Sequence, residues 1–193
     1  MPQRERDAGA LTKYFGEIAG EDEFKIRGIE ARQRSTPTFI EEFQRECLRT
    51  FGDTRSPEAF IGVLRNALRK LNAGDVDEAT LVERNRVSKP LEGYTQYTQN
   101  VAALERARDQ GLAVHPGQDI EYVVVDDEKN SRERVALAHE TVEGYDTSYY
   151  ETQLIRATES ILSPVGWERE DIRSALAETQ DCRLEMFDTT SKR

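Results

Sequence analysis

The sequence predicts an α+β fold, and three observations predict it. Segments with apolar residues at helical spacing recur between residues 37 and 177. Segments of strand-like alternation lie before and between them. The two kinds do not follow the strand–helix–strand rhythm of a parallel sheet. The expected layout is an N-terminal hairpin followed by a mostly helical unit with a small inserted β-sheet. No internal repeat or low-complexity segment interrupts it.

Residues 1–10 carry no apolar anchors and are expected to be disordered. LTKYFGEI (11–18) and FKIRGIEARQR (24–34) flank the polar turn AGEDE and read as two strands of a hairpin, so 11–34 forms the first unit. Ser35-Thr36-Pro37 is a helix start, a hydroxyl cap with proline in the first turn. The helix that follows places Phe39, Ile40, Phe43, Cys47 and Leu48 on one face. Gly52 fits its stop, and Asp53 or Ser56 fits the cap of the next helix, with Pro57 just inside. That helix turns Phe60, Val63, Leu64, Ala67, Leu68 and Leu71 inward. ATLVERNRVS (79–88) reads as a strand carrying Leu81 and broken by Lys89-Pro90. Gln99–Gln110 reads as a helix stopped by Gly111. Pro116-Gly117 suits the centre of a type II turn. IEYVVVDD (120–127) and RERVALAHE (132–140) form a strand pair, Asp146 or Thr147 caps a long helix, and a short helix covers 168–177. Residues 35–177 thus form the second unit, and 178–193 a flexible tail.

The charge of −10 argues against a nucleic-acid binder, but its make-up softens that argument. Of 27 basic residues 6 are lysine, and the acids are spread along the chain rather than gathered in a tail. Such a surface suits a cytosol of very high salt, where net charge maintains solubility. No apolar run approaches a membrane span, and the polar start MPQRERDAGA predicts neither signal peptide nor anchor, so a cytoplasmic location is expected. Cys47 and Cys182 are read as free thiols, and His115 and His139 as ordinary histidines without ligand partners.

The residues themselves present no catalytic constellation and no metal-ligand set. They do present basic and hydroxyl side chains in and beside strands: Lys13, Tyr14, Lys25, Arg27, Arg32 and Arg34 in the hairpin, then Arg84, Arg86, Ser88 and Lys89. Such residues suit charge-assisted contacts to phosphates, which position a duplex without reading its sequence. A mixed-charge surface without a ligand is the competing reading.

The order of several motifs resembles the C-terminal part of archaeal-type family B DNA polymerases, from the end of the palm through the thumb. KYFGEI followed by KIRGIEARQRSTPTFI resembles the palm-end K-x-Y strand and the entry to the thumb. RVSKPLEGY, NVAAL and VHPGQDIEYVVV resemble the thumb's middle run, and YDTSYYETQLIRATESILSPVGWEREDIR its closing helices. The resemblance covers about residues 11–176. It implies that Lys13 and Tyr14 lie against the primer strand, that Arg27 and Arg34 hold primer phosphates, and that Ser88 and Lys89 do so from the thumb. Thr12 and Gln33 stand where the family often has basic residues. Thr95 and Asn100 replace a common Lys and His, so the loop 93–100 would grip DNA through neutral donors.

FGDTRS (51–56) is similar to YGDTDS, the family's metal-binding turn, but Arg55 stands where a carboxylate is needed. Apolar helical segments flank it, whereas the metal turn lies between strands. It also follows the K-x-Y strand, whereas the metal turn precedes it. It is therefore read as an inter-helix loop. The resemblance then implies that Mg²⁺ and the catalytic aspartates belong to palm and finger segments not found here, that none of these residues is catalytic, and that the chain alone is inactive. Expected partners are primer–template duplex and the palm and fingers, as a split subunit or a fragment. The alternative is a non-catalytic DNA-binding or sliding-clamp-associated module. In the tail, Leu184 and Phe187 have the aliphatic and aromatic spacing of a clamp-docking peptide, although Asp181 stands where glutamine belongs. Packing of these residues on the last helix is the competing reading.

Overall fold

The computed structural model describes residues 2–3, 6–9, 14–17, 24–54 and 56–177. Its elements are β1 (Pro2–Gln3), β2 (Arg6–Gly9), β3 (Tyr14–Glu17), β4 (Phe24–Arg27), α1 (Thr38–Thr54), α2 (Pro57–Asn72), β5 (Glu83–Arg86), α3 (Gln99–Asp109), β6 (Asp119–Val124), β7 (Val135–Leu137) and α4 (Thr147–Leu162). They are followed by helix over 169–177. The strands form two separate antiparallel pairs, β1–β2 and β3–β4, and one antiparallel three-stranded sheet in the order β5-β6-β7. The α+β expectation holds, with helices as the main component. No helix among the described residues is long and apolar enough to cross a membrane.

Helices α1, α2 and α4 pack on one another, and α3 lies against β6 and β7. A single apolar cluster runs through both groups, from Ile29 and Phe43 through Phe60, Leu64 and Leu81 to Val123, Leu154 and Ile172. Tyr150 of α4, fully buried, joins the helices to the sheet. Its hydroxyl donates to Leu81 O at 3.0 Å and accepts from Val124 N at 3.0 Å. Tyr149 and Tyr145 pack edge-on against its ring. Asp146 caps α4 by accepting from Tyr149 N at 2.9 Å.

Several boundaries differ from the sequence-based expectation. Helix α1 continues through Gly52 and Asp53 to Thr54. The usual helix cost of glycine, about 1 kcal/mol, is offset where Phe51 meets Phe60 edge-on at 5.4 Å and the Thr54 hydroxyl donates to Thr50 O at 2.7 Å. Ser56 does occupy the cap position of α2, but its hydroxyl bonds Glu58 rather than a backbone N–H. Leu81 is not on a strand. Asp77 accepts from Ala79 N and starts a 3-10 turn over Glu78–Leu81, which drives Leu81 into the core. The hairpin's second strand ends at Arg27 rather than 34, because Gly28 at φ 76 turns the chain into a 3-10 turn over Glu30–Arg32. The backbone of Pro2–Gln3 pairs with Arg6–Gly9, where no order was expected.

The segment after the hairpin is fixed by a side chain that apolar periodicity does not flag. Gln44, fully buried on the inner face of α1, accepts from Ala31 N at 2.6 Å. It donates to Ala157 O and to Glu30 Oε2, each at 2.9 Å. Ser160 of α4 donates to the other Glu30 oxygen at 2.6 Å. Cys47, one turn along, is a buried free thiol. Burial, reinforced by Glu46, pushes its pKa far up, which leaves it a poor nucleophile.

Replacing Tyr150 by Phe strands a buried carbonyl and a buried N–H at once. The substitution is expected to cost about 1–3 kcal/mol, read as a lower urea midpoint with an unchanged denaturant slope. A midpoint equal to the parent's would show that the helix–sheet link is carried elsewhere.

Candidate nucleic-acid interface

Strand β5 has two chemically different faces. Glu83 and Asn85 point inward, Arg84 and Arg86 outward, as a half-buried strand requires. Val87 continues inward and is buried, and Ser88 continues outward. The β5–β6 ladder extends past the strand ends, with Val87 N donating to Gln118 O and Gly117 N to Val87 O, both at 2.8 Å. Between them His115–Gln118 forms the tight turn read from Pro116-Gly117, with Gly117 at φ 90 and Gln118 N donating to His115 O.

Ser88 and Lys89 gather around Tyr94. The chain breaks at Pro90, makes a 3-10 turn over Leu91–Gly93, and brings Tyr94 back beneath them. Ser88 N donates to the Tyr94 hydroxyl at 3.3 Å, and Lys89 Nζ sits 4.8 Å from the ring centroid, a cation–π arrangement. A side chain at Gly93 would place its Cβ 3.2 Å from Lys89 Cδ, so the lysine stem would have to shift by a few tenths of an ångström. Burial works to raise the Tyr94 pKa, but the bonds from Ser88 and the charge of Lys89 outweigh it, and the pKa is lowered.

The other expected contact residues are distributed as follows. Tyr14 and Arg27 are register partners at one end of the β3–β4 ladder, so the strand pairing brings these two together. Lys13 lies outside the described residues, as do Leu184, Phe187 and Cys182. Arg34 is exposed, and its Nη2 pairs with Asp119 Oδ2 at 2.5 Å. Thr95 is exposed in the loop before α3. Asn100 is instead engaged inside, where its Oδ1 accepts from the Tyr122 hydroxyl at 3.0 Å. Asp119 and Tyr94 were not singled out from the sequence. Asp119 directly follows the Pro-Gly turn and is the register partner of Arg86, which is the signal that marks it in retrospect.

The inner face of β5 holds a polar cluster. Glu83 accepts from the Tyr149 hydroxyl at 2.5 Å, the single Tyr122 hydroxyl proton is shared between Asn100 Oδ1 at 3.0 Å and Glu83 Oε2 at 3.3 Å, and Asn85 donates to the Tyr122 oxygen at 3.1 Å. Burial raises the Glu83 pKa, the bonds from Tyr149, Tyr122 and Asn85 oppose it, and the charge of Asp127 adds to the rise. Burial and the Glu83 carboxylate push Tyr122 and Tyr149 strongly upward as well, so both remain neutral donors.

FGDTRS does not fit a metal site. Phe51 through Thr54 are the last turn of α1, Ser56 caps α2, and Arg55 introduces a cation. Among the described residues no group of three or more His, Cys, Asp or Glu is placed to hold a metal ion. His115 lies in the turn before β6, and the ring of His139 bonds Gln110 at 2.9 Å.

The fold has counterparts among known proteins. The family description of DNA polymerase family B matches residues 11–165, and the chain belongs to that family. DNA polymerases of Thermococcus sp. (strain 9oN-7) and Pyrococcus horikoshii are each 27% identical to it over 165 residues, which is 83% of this chain but 21% and 13% of theirs. The chain therefore spans about a fifth or less of these relatives. The family B DNA polymerase of Pyrobaculum calidifontis shares its fold with a TM-score of 0.67 at 22% identity, over 83% of this chain and 21% of that one.

The raised Glu83 pKa has a definite sign. The unfolded chain releases this proton near the ordinary value of about 4.3, before the folded chain does, so the group's contribution to stability declines as pH rises from there through the folded value. Glu83→Gln has no such titration. Urea midpoints measured between pH 4 and 8 are expected to shift in favour of Glu83→Gln, relative to the parent, as pH rises. A constant difference would show that Glu83 titrates normally.

Proposed function

We propose that the chain is the DNA-gripping thumb portion of a family B DNA-directed DNA polymerase, holding primer–template duplex during replication. The observation that carries this reading is the outer face of β5, where Arg84, Arg86 and Ser88 alternate outward and lead into Lys89. Family membership over residues 11–165 supports it. Arg27 and Arg34 would contact primer-strand phosphates from the hairpin side, Lys13 and Tyr14 would lie against the primer strand, and Thr95 would be a neutral donor from the loop. Contacts of this kind position the duplex and leave sequence unread. The palm and fingers, on a separate polypeptide or as the rest of a longer one, would hold the Mg²⁺ and run the attack of the primer 3′-hydroxyl on the nucleotide α-phosphate. The acidic, lysine-poor composition suits operation in a cytoplasm of high salt.

Duplex affinity, measured across a salt series for several unrelated sequences, tests this reading. Arg27→Ala, Arg34→Ala and Lys89→Ala are each expected to weaken binding evenly across sequences, and to reduce the salt slope by about one unit. If all three bind like the parent, the assigned face is wrong. If the chain binds duplex but does not improve primer extension by a family B palm-and-fingers portion, the non-catalytic DNA-binding module is the better description.

A sliding clamp is proposed as a further partner, through Leu184 and Phe187 in TQDCRLEMFD. A peptide of residues 178–193 is expected to bind the clamp of the same organism and to lose binding when both residues become Ala. No binding at millimolar peptide in high salt would retire the idea.

A further inference from the structure

Two of the arginines on the proposed DNA face share one carboxylate. Arg34 Nη2 lies 2.5 Å from Asp119 Oδ2, and Arg84 Nε lies 3.1 Å from the same oxygen. The three residues come from three places: the segment after the hairpin, β5, and the first position of β6. The exposures separate their roles. The arginine side chains are 55% and 49% exposed, whereas that of Asp119 is 17% exposed. The carboxylate thus sits behind the guanidiniums rather than in front of them. Its other oxygen, Oδ1, is buried with no hydrogen-bond partner. An under-compensated anion of this kind draws both cations to one spot. Glu121, the register partner of Arg84, adds a second, more exposed carboxylate 3.2 Å from Arg84 Nε on the same outer face.

A guanidinium has five N–H donors in a planar fork. Arg34 uses one on Asp119, and Arg84 donates its Nε–H to Asp119, with Glu121 as an ion-pair neighbour. Arg86, the register partner of Asp119, projects from the same outer face of β5. We propose that Asp119 is a positioning residue for duplex binding: it holds Arg34 and Arg84 side by side so that their remaining N–H groups meet neighbouring backbone phosphates. Ordering two long side chains before the ligand arrives lowers the entropy cost of binding. The inference rests on the DNA-gripping reading and adds to it a residue whose charge has the sign opposite to that expected at a DNA face.

The test uses the full chain and a fluorescent primer–template duplex, with far-UV circular dichroism as the fold control. Asp119→Asn removes the charge with little change of shape. It is expected to weaken binding and to reduce the salt slope by about two units, one for each arginine released. Asp119→Glu is expected to restore much of the slope. In a chain already carrying Arg34→Ala and Arg84→Ala, Asp119→Asn is expected to have no further weakening effect, because Asp119 acts through those two residues. If Asp119→Asn does not fold, Asp119→Glu and the Arg34→Ala/Arg84→Ala pair carry the decision, since a salt slope unchanged in the pair overturns the inference. Tighter binding by Asp119→Asn, in both backgrounds, would mean that Asp119 merely repels DNA, and would overturn the inference while leaving the DNA-gripping reading intact. Absence of duplex binding by the parent chain would overturn both.

Discussion

The hydroxyl of Tyr150 is the point on which the two parts of the fold meet. A helical layer and a three-stranded sheet can share an apolar boundary in many relative positions, because apolar contact is not directional. A buried hydroxyl that donates to Leu81 O and accepts from Val124 N permits far fewer. It fixes the entry to β5 and the end of β6 with one group. Both bonded backbone groups would otherwise be buried without a partner, so the arrangement cannot slip without a cost of kilocalories. The orientation of β5 follows from that, and with it the direction in which Arg84 and Arg86 point.

The segment joining the hairpin to α1 is held by the same kind of device at the other end of the helical layer. Gln44 meets Ala31 N, Glu30 and Ala157 O, and Ser160 closes on Glu30. Arg34 follows this fixed segment by a few residues. Its meeting with Asp119 is thus a consequence of two polar links, one through Gln44 and one through the β5–β6 ladder. Neither link is part of the proposed DNA face, yet together they determine which cations stand beside each other on it.

What could be read from the sequence divides along this line. Apolar periodicity placed α2, α3, α4 and the β6–β7 pair, because burial of a stripe or a face leaves a repeating pattern. It missed Gln44 because a polar residue on an apolar face looks like an interruption, while its partners Ala31 and Ala157 are backbone groups with no letter of their own. It ended α1 at Gly52 because glycine's local preference is visible and the long-range packing of Phe51 on Phe60 is not. It placed Leu81 on a strand because a buried leucine fits a strand or a 3-10 turn equally well, and Asp77 decided between them. On the candidate interface, Ser88 and Lys89 were legible as a strand-end cluster. Asn100 was legible as a polar loop residue but not as a partner of Tyr122, since that contact spans the helix and the sheet.

The charge of the chain shows the same limit from another side. A total of −10 describes how the protein behaves in bulk, its solubility and its repulsion of other acidic bodies. A duplex held against β5 would meet only the charges within about a Debye length, some 8–10 Å at moderate salt and less in brine. Within that range are Arg84 and Arg86 on the outer face and Arg34 beside them, with Asp119 recessed behind Arg34 and Arg84 and the more exposed Glu121 beside Arg84. High salt would screen the distant acids most and the contact pairs least. A chain acidic overall can therefore keep a locally cationic strip, provided that the cations within it outnumber the carboxylates that stand beside them. Asp119 takes little of that surface because it is recessed, whereas Glu121, 45% exposed, offsets part of the charge of Arg84.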